Sequence, residues 1–161
     1  MTTFAKLNLK DQREIVVVNA PASFEPEIAS LQGVMVRRAL SEAGQVDFSL
    51  AFFTKQKEVD SWAKAIGRKA AGDAIVWLAY PKKNSNKYTC EFNRDSGWPS
   101  MGAAGFEPVR MVAIDEDWSA LRFRRAEFIK TMTRPMEYRY SDQGKTTKAT
   151  KNTKTTKKSS K

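Results

Sequence analysis

The sequence predicts an α/β domain with a mostly parallel, twisted sheet, flanking helices and a C-terminal antiparallel hairpin. Two observations predict this class. Short apolar runs alternate with a segment of helical period as far as Tyr80. The last two strand-like runs are joined by a turn at Asp115–Asp117, which is short enough to force antiparallel pairing. A chain of 161 residues suits one domain, which we place at residues 1–140.

Four apolar runs are predicted to form the parallel part of the sheet. They are Glu14–Ala20, Val34–Leu40, Val46–Phe53 and Ala74–Tyr80. The first is apolar on both faces, as in a buried parallel strand, and Pro21 ends it. The second is short and suits an edge, whereas the fourth is the most hydrophobic and is placed centrally.

Helices are predicted between these strands. Ser23–Leu31 is interpreted as a short helix or turn, and Asn93–Gly105 as a helix weakened by internal glycine and proline. Lys55–Ala71 repeats apolar residues every three or four positions, which indicates an amphipathic helix. Thr54 is its expected N-cap and Gly72 its C-cap.

The hairpin is predicted from two runs near the end of the domain. Val109–Ile114 is interpreted as a strand, and Trp118–Arg125 as an outer, half-exposed strand because its arginines alternate with apolar residues. Glu127–Thr133 is interpreted as a further helical turn.

The positive charge is concentrated at the C-terminus. Residues 142–161 hold seven lysines and one aspartate, so they carry +6 of the total of +10 and leave +4 for residues 1–141. Residues 141–161 are expected to be a disordered, Lys/Thr-rich tail, because they cannot bury enough surface to offset chain entropy. Tail lysines favour weak binding to nucleic acid or another polyanion, and the alternative is a solubilising tail. These lysines are Lys145, Lys148, Lys151, Lys154, Lys157, Lys158 and Lys161.

Several chemistries are excluded or disfavoured by composition. Without histidine, neither a serine–histidine–acid triad nor a histidine-containing zinc site can form. Cys90 is the single cysteine, cannot form a disulfide within the chain, and is expected to pack as a small hydrophobe. Three adjacent carboxylates at Asp115–Asp117 rarely converge on one cation, so no metal site is predicted. The sequence has no apolar leader or membrane-spanning run, so we expect a cytoplasmic protein with no membrane partner.

Three motifs carry a resemblance to a known family. They are Asn19-Ala20-Pro21, Tyr80-Pro81-Lys82-Lys83, and the hairpin motif DxxWSxLRF that begins at Asp115. Together they resemble a bacterial family of small domains of unknown function, over roughly residues 8–125. The resemblance implies the fold and a bacterial origin, and it implies no activity.

The predicted order of elements is also similar to that of class I methyltransferases, whose doubly wound sheet ends in a hairpin. In those enzymes a glycine-rich loop after the first strand approaches S-adenosylmethionine. Here Asn19–Glu27 contains no glycine and two prolines, and the second strand carries Arg37 and Arg38 where an acidic residue would hold the ribose. The resemblance therefore implies a reduced methyltransferase-like scaffold, and no cofactor is predicted.

Ligands of open α/β sheets bind at the carboxyl ends of the strands. The polar or aromatic residues expected at that edge are Asn19, Thr54, Lys82, Lys83, Asp115, Trp118 and Ser119. One hypothesis is a small pocket in which the lysines hold an anion, Asn19 supplies hydrogen bonds and Trp118 forms a wall. The alternative is structural: Asn19 and Asp115 stabilise turns, Trp118 covers the core, and the lysines are solvated.

Two functions remain open from sequence. The favoured one is a non-enzymatic binding or interaction domain whose tail adds affinity for nucleic acid. The alternative is a small-molecule-binding or enzymatic domain that uses the strand-end edge. A basic patch of Arg122, Arg124 and Arg125 with Arg37 and Arg38 is a further hypothesis, with a solvated face as its alternative.

Overall fold

A computed structural model describes residues 2–92 and 97–129. Six strands of these residues form one sheet in the order β2-β1-β3-β4-β6-β5. The strands are β1 (Glu14–Val18), β2 (Met35–Arg37), β3 (Val46–Phe52), β4 (Ala70–Pro81), β5 (Phe106–Ala113) and β6 (Trp118–Arg125). The α-helices are α1 (Thr3–Lys6), α2 (Glu25–Ala29), α3 (Gln56–Lys69) and α4 (Pro99–Ala103), and 3₁₀ turns occupy Ala22–Phe24, Leu40–Glu42 and Ala126–Phe128.

The predicted fold class is confirmed. The first four strands pair in parallel, whereas β6 is antiparallel to both β4 and β5. β2 lies at one edge, as expected, and β4 is interior, between β3 and β6. Helices cover both faces of the sheet.

The prediction that Trp118–Arg125 is an outer, half-exposed strand is wrong. β6 lies between β4 and β5, its first four residues are buried, and β5 forms the edge. The short turn before Trp118 requires β5 and β6 to be neighbours, but it does not decide which of them pairs with β4. The arginines of β6 suggested exposure, whereas Trp118 and Ala120 bury one face of the strand and Leu121 and Phe123 the other.

Both predicted caps of the long helix are corrected. Lys55 is the N-cap of α3, and the Glu58 side chain accepts hydrogen bonds from the backbone N–H groups of Thr54 and Lys55, each at 3.1 Å. The helix ends at Lys69, and the chain enters β4 at Ala70 with no intervening loop. Gly72 lies inside that strand at φ +53°, where the register between β3 and β4 shifts. The glycine therefore permits a β-bulge and does not cap the helix.

Two other helical elements are shorter, in the described residues, than the sequence predicted. The helix expected over Asn93–Gly105 is described only as Pro99–Ala103, and residues 93–96 lie outside the described part. The helical turn expected over Glu127–Thr133 is a single 3₁₀ turn, and its residues from 130 onward lie outside the described part. The tail, residues 141–161, also lies outside it.

The core has two halves, one on each face of the sheet. On the face that we call the α3 face, α3 and α4 pack over side chains such as Val76, Leu78 and Phe123. On the opposite face, the α1 face, α1 and α2 pack over Phe52 and Trp77 among others. In the part of the chain that the structure describes, none of the helices has the length and apolar character needed to span a membrane.

Trp77 ties the N-terminal segment to the centre of the sheet. Its side chain is fully buried on the α1 face, and its indole Nε1–H donates a 2.8 Å hydrogen bond to the carbonyl oxygen of Leu7. Leu7, which follows α1, is itself fully buried. A buried carbonyl that loses its donor is costly, so this bond fixes where α1 sits.

We expect Trp77→Phe to lower the free energy of unfolding by about 2–3 kcal/mol, since the substitution leaves a void and removes the donor to Leu7. Trp62→Phe is the matched control, because the buried Nε1 of Trp62 has no hydrogen-bond partner among the described residues. That substitution should cost about 1 kcal/mol or less. Urea unfolding of both variants measures the difference. Equal losses would show that the bond to Leu7 contributes nothing.

Candidate functional site

The segment that follows β4 crosses the carboxyl end of that strand and touches both faces of the sheet. On the α1 face Tyr88 packs against Trp118, with ring centroids 4.9 Å apart. On the α3 face Phe92 packs against Trp98 at 5.0 Å and Tyr80 at 6.1 Å. We call residues 82–92 the edge loop. Its aromatic contacts anchor it over the strand end.

Ser85 organises the first half of the edge loop. Its Oγ donates to Oδ1 of Asp117 at 2.9 Å and accepts from the backbone N–H groups of Lys87 and Tyr88. The backbone N–H of Lys82 donates to the carbonyl oxygen of Asp117 at 2.7 Å. The edge loop is therefore joined to the β5–β6 turn by a backbone bond and a side-chain bond.

The second half of the edge loop is joined to the start of α3. The N–H of Glu91 donates to the carbonyl oxygen of Thr54 at 3.0 Å. The Glu91 carboxylate accepts a 2.8 Å bond from the N–H of Gln56, in the first turn of the helix. That N–H has no partner within the helix, so the carboxylate satisfies an otherwise open donor.

A cleft of about 610 Å³ opens between the edge loop and the β5–β6 hairpin. Among the predicted site residues, Lys82, Lys83 and Ser119 line it. The other lining residues are Tyr80, Pro81, Ser85, Tyr88, Thr89, Cys90, Glu91, Phe92 and Met111. The lining includes two lysines and several hydroxyl groups but only one carboxylate, that of Glu91. The cleft therefore offers hydrogen-bond donors and positive charge to an anion.

Cys90 lines this cleft and, as a small hydrophobe was expected to, packs against the hydrophobic core of the α3 face. It is half-buried, and burial is the main cause that raises the pKa of its thiol above the usual value. The charges of Glu91 and Glu58 raise the pKa further, while backbone hydrogen bonds from Phe92 and Glu91 oppose the shift. The thiol is therefore a weak nucleophile, because the thiolate is the reactive form.

The remaining predicted site residues do not line the cleft. Asp115 caps the hairpin turn: its Oδ1 accepts from the N–H groups of Asp117 and Trp118, both at 2.8 Å. Trp118 is 4% exposed and packs on Phe52 at 5.1 Å. Thr54 contributes its backbone to the edge-loop contact described above. Asp115 and Trp118 therefore have the structural environments of the alternative interpretation.

The loop after β1 has a different character. Asn19 is exposed and adopts φ +60°, a left-handed conformation that asparagine tolerates better than most residues, and Pro21 follows. Phe24 is 2% exposed and packs between Phe4 at 5.5 Å and Phe52 at 5.1 Å. The loop therefore places an aromatic ring in the core of the α1 face, against the end of β3.

The end of β2 is occupied by paired arginines. Arg37 Nε donates to Glu14 at 2.7 Å. The guanidinium of Arg38 forms a two-pronged pair with Glu25, which lowers the pKa of that carboxyl through a direct hydrogen bond. Glu25 is thus engaged by Arg38 within the chain. Among the described residues, no group of three or more carboxylate or thiol side chains is placed to hold a metal ion.

Comparison with solved structures shows that this is a methyltransferase fold. A SAM-dependent methyltransferase from Aquifex aeolicus superposes with a TM-score of 0.55 at 14% identity, covering 76% of this chain and 87% of that one. Fibrillarin, a pre-rRNA processing protein from Methanococcus jannaschii, gives 0.48 at 9% identity over 72% and 67%. Magnesium protoporphyrin IX methyltransferase from Synechocystis with bound SAM gives 0.47 at 12% identity over 77% and 74%.

Neither the protein-family comparison nor the comparison with curated proteins returns a match to this chain. Identities this low establish the fold alone. The match to the Aquifex aeolicus protein confirms the predicted methyltransferase-like order of elements.

The residues of this chain do not fit the cofactor that the fold implies. S-adenosylmethionine needs a loop after the first strand whose backbone it can approach closely, and here that loop carries Pro21 and the buried ring of Phe24. At the end of β2, arginines replace a free carboxylate. We therefore derive no methyl-transfer step.

Sequence reasoning missed most of the cleft lining. The polar run Asn84–Tyr88 indicated a loop, but its course over the end of β4 depends on Ser85 meeting Asp117, which are far apart in sequence. The one available signal was the Ser85 hydroxyl within a polar run, since serine commonly bonds backbone N–H groups a few residues ahead.

We expect Asp115→Ala to reduce the free energy of unfolding by about 2 kcal/mol, because two backbone N–H groups lose a charged acceptor. Asp115→Asn keeps one oxygen acceptor and should lose about half as much. Glu116→Ala, at the exposed neighbouring position, is the control and should change stability by less than about 0.5 kcal/mol. Thermal unfolding of the three variants tests this. Equal effects of the alanine substitutions at positions 115 and 116 would refute the capping role.

Proposed function

We propose that the protein is a non-enzymatic binding domain on a methyltransferase-like scaffold, and that it binds acidic partners such as nucleic acid. The carrying observation is the loop after β1, which has no glycine from Asn19 to Glu27, contains Pro21 and Pro26, and is anchored by the buried Phe24, so its backbone cannot be approached closely by a cofactor. A domain with this loop retains the scaffold and lacks the means to hold a methyl donor.

The choice of an acidic partner rests on charge. Seven of the lysines fall between residues 145 and 161, at mainly three-residue spacing, and no aromatic residue lies among them. Such a segment can neutralise phosphates but cannot stack on bases, so its binding is sequence-independent. The division into a domain at residues 1–140 and a disordered tail, the bacterial-family resemblance and a cytoplasmic location remain predictions that agree with this proposal.

We expect the full chain to bind short duplex DNA with an affinity that falls steeply with salt. Replacing four tail lysines (Lys145, Lys148, Lys151 and Lys154) by glutamine should reduce the slope of log Kobs against log salt by about 0.9 for each lost phosphate contact, or about 3.6 in all. Fluorescence anisotropy over a range of salt concentrations measures the slope.

The charge-matched control replaces four exposed lysines of the folded domain, Lys6, Lys10, Lys57 and Lys64, by glutamine. This control should change the slope far less. No binding at low salt, or equal losses in the two variants, would contradict the role of the tail. Stabilisation of the chain by S-adenosylmethionine in a thermal-shift experiment would overturn the non-enzymatic part of the proposal.

The cleft supports a second candidate function, the binding of a small anionic ligand. Lys82 and Lys83 are at its wall, together with the hydroxyl-bearing residues Ser85, Thr89 and Ser119. The volume of about 610 Å³ falls within the range of small-molecule sites. A phosphorylated metabolite is the ligand class that these groups would hold.

Cys90 provides a direct test of this second candidate, because it is the single cysteine and lies in the cleft. We expect its alkylation by iodoacetamide at pH 8 to be slower than that of a free thiol, since burial raises its pKa. Pyrophosphate or a nucleoside diphosphate should slow alkylation further by occupying the cleft. Mass spectrometry of the alkylated chain gives the rate.

The protection should disappear in the double variant Lys82→Gln/Lys83→Gln. It should persist in Lys87→Gln, which removes an exposed charge from the same loop without altering the cleft lining. Protection that is absent for the wild-type chain, or equal in both variants, would remove the support for a ligand in the cleft.

A further inference from the structure

The five arginines for which the sequence suggested a single basic patch lie in two separate parts of the sheet. Arg37 and Arg38 are at or just after β2, whereas Arg122, Arg124 and Arg125 are on β6, next to the other edge. The proposed single basic patch is therefore wrong. The β6 side contains a smaller cluster with a different composition.

Most of these arginines hydrogen-bond a carboxylate or a backbone carbonyl of the chain itself. Arg37 and Arg38 pair with glutamates, as described above. Arg124 donates hydrogen bonds to both carboxylate oxygens of Asp73, from Nε at 2.8 Å and from Nη2 at 2.7 Å. Arg125 donates to the carbonyl oxygens of Gly67 and Ala70 and lies 4.8 Å from the centroid of the Phe106 ring. Each of these guanidinium groups has a structural role.

Arg122 has no such partner. Its Nε is buried and makes no hydrogen bond to any described residue. Burial and the neighbouring charges of Arg124 and Arg110 lower the pKa of its guanidinium, against a smaller opposing effect of Asp73. Arginine nevertheless stays charged at neutral pH, so a partly desolvated cation persists whose Nε no described residue bonds, with Asp73 as an electrostatic neighbour.

Arg110, Arg122 and Arg124 lie on one face. Arg110 is the cross-strand partner of Arg122, and Arg122 is the cross-strand partner of Trp77, whose side chain is on the α1 face. Arg124 follows two residues later and points to the same side. Opposite residues have Cβ atoms about 5 Å apart and residues two apart on a strand are separated by about 7 Å, so Arg110 and Arg124 both start from positions next to Arg122 on this face. We call these three residues the arginine row.

The geometry of the arginine row suits an extended polyanion. β5 is the edge strand and Arg110 is exposed, so the row continues to the open side of the sheet. In the sequence, only twelve residues, 130–141, separate Ile129 from Asp142, which precedes the tail lysines. Twelve residues span at most about 40 Å, which would let row and tail contact one molecule and raise each other's effective concentration.

We propose that Arg110, Arg122 and Arg124 form a contact surface for the phosphodiester backbone of nucleic acid, an inference that rests on the nucleic-acid binding proposed above. Phosphate oxygens would bond the terminal Nη groups of Arg122, since its Nε is buried and out of reach of an external ligand. Arg124 would contribute its remaining N–H groups while it stays paired with Asp73.

The test uses the full chain and two variants of equal charge loss. Arg110→Gln/Arg122→Met should reduce the salt slope of duplex DNA binding by about 1.8, which is about 0.9 for each contact. The control Lys57→Gln/Lys64→Gln removes two exposed charges from α3, on the opposite face, and should change the slope little. A second readout is the melting temperature of Arg122→Met alone, which should be unchanged or raised because an unpaired, partly buried charge is removed.

The outcomes separate the two proposals. Equal slopes for the arginine and control variants, with binding still dependent on the tail, would overturn the arginine row alone. A clear fall in the melting temperature of Arg122→Met would also overturn it, because Arg122 would then hold a structural ion pair. Loss of binding in the arginine variant but not in the tail variant would overturn the tail and keep the row, and absence of DNA binding by the full chain would overturn both.

Discussion

The pairing of β4 with β6 determines most of what surrounds the candidate sites. It runs from Val76 opposite Phe123 to Pro81 opposite Trp118, and it inserts β6 between β4 and the edge strand β5. One end of this ladder brings the β5–β6 turn beside Lys82, so that the edge loop can bond Asp117. The other end sets Arg122 across from Trp77. A shift of one residue would reverse the faces of every side chain on β6 and remove both arrangements.

The same pairing explains how the carboxyl edge is filled. With Trp118 opposite Pro81, its ring reaches Phe52 on one side and Tyr88 on the other. Phe52 in turn contacts Phe24 from the loop after β1. A continuous row of aromatic rings thus covers the α1 face of the edge. The cleft opens beyond this row, between the edge loop and the hairpin, so the scaffold retains a concave surface away from the loop that a nucleotide-like cofactor would approach.

The parts of the fold that depend on local pattern were predictable. β-Branched runs located the parallel strands, and the helical period located α3, because these signals depend on residues close in sequence. The exchange of β5 and β6 was not predictable in this way, since either strand of a hairpin can meet β4. The site shows the same limit: Lys82, Lys83 and Ser119 follow from topology, whereas the contribution of Ser85 depends on a long-range bond to Asp117.

The arginines that are available to a ligand are the feature that the sequence predicts least well. Counting arginines suggests one basic surface, but an arginine that bonds a carboxylate or a backbone carbonyl is part of the fold and has fewer N–H groups left for a ligand. A sequence cannot separate such groups from Arg122, because the difference lies in whether an acceptor from another strand or helix is within reach. Arg124 and Arg122 are two residues apart and face the same way, yet Asp73 bonds the first through both oxygens and leaves the second with only a weak electrostatic influence. No described residue bonds the buried Nε of Arg122, and partial burial of a cation has a cost that an external anion at its Nη groups would offset.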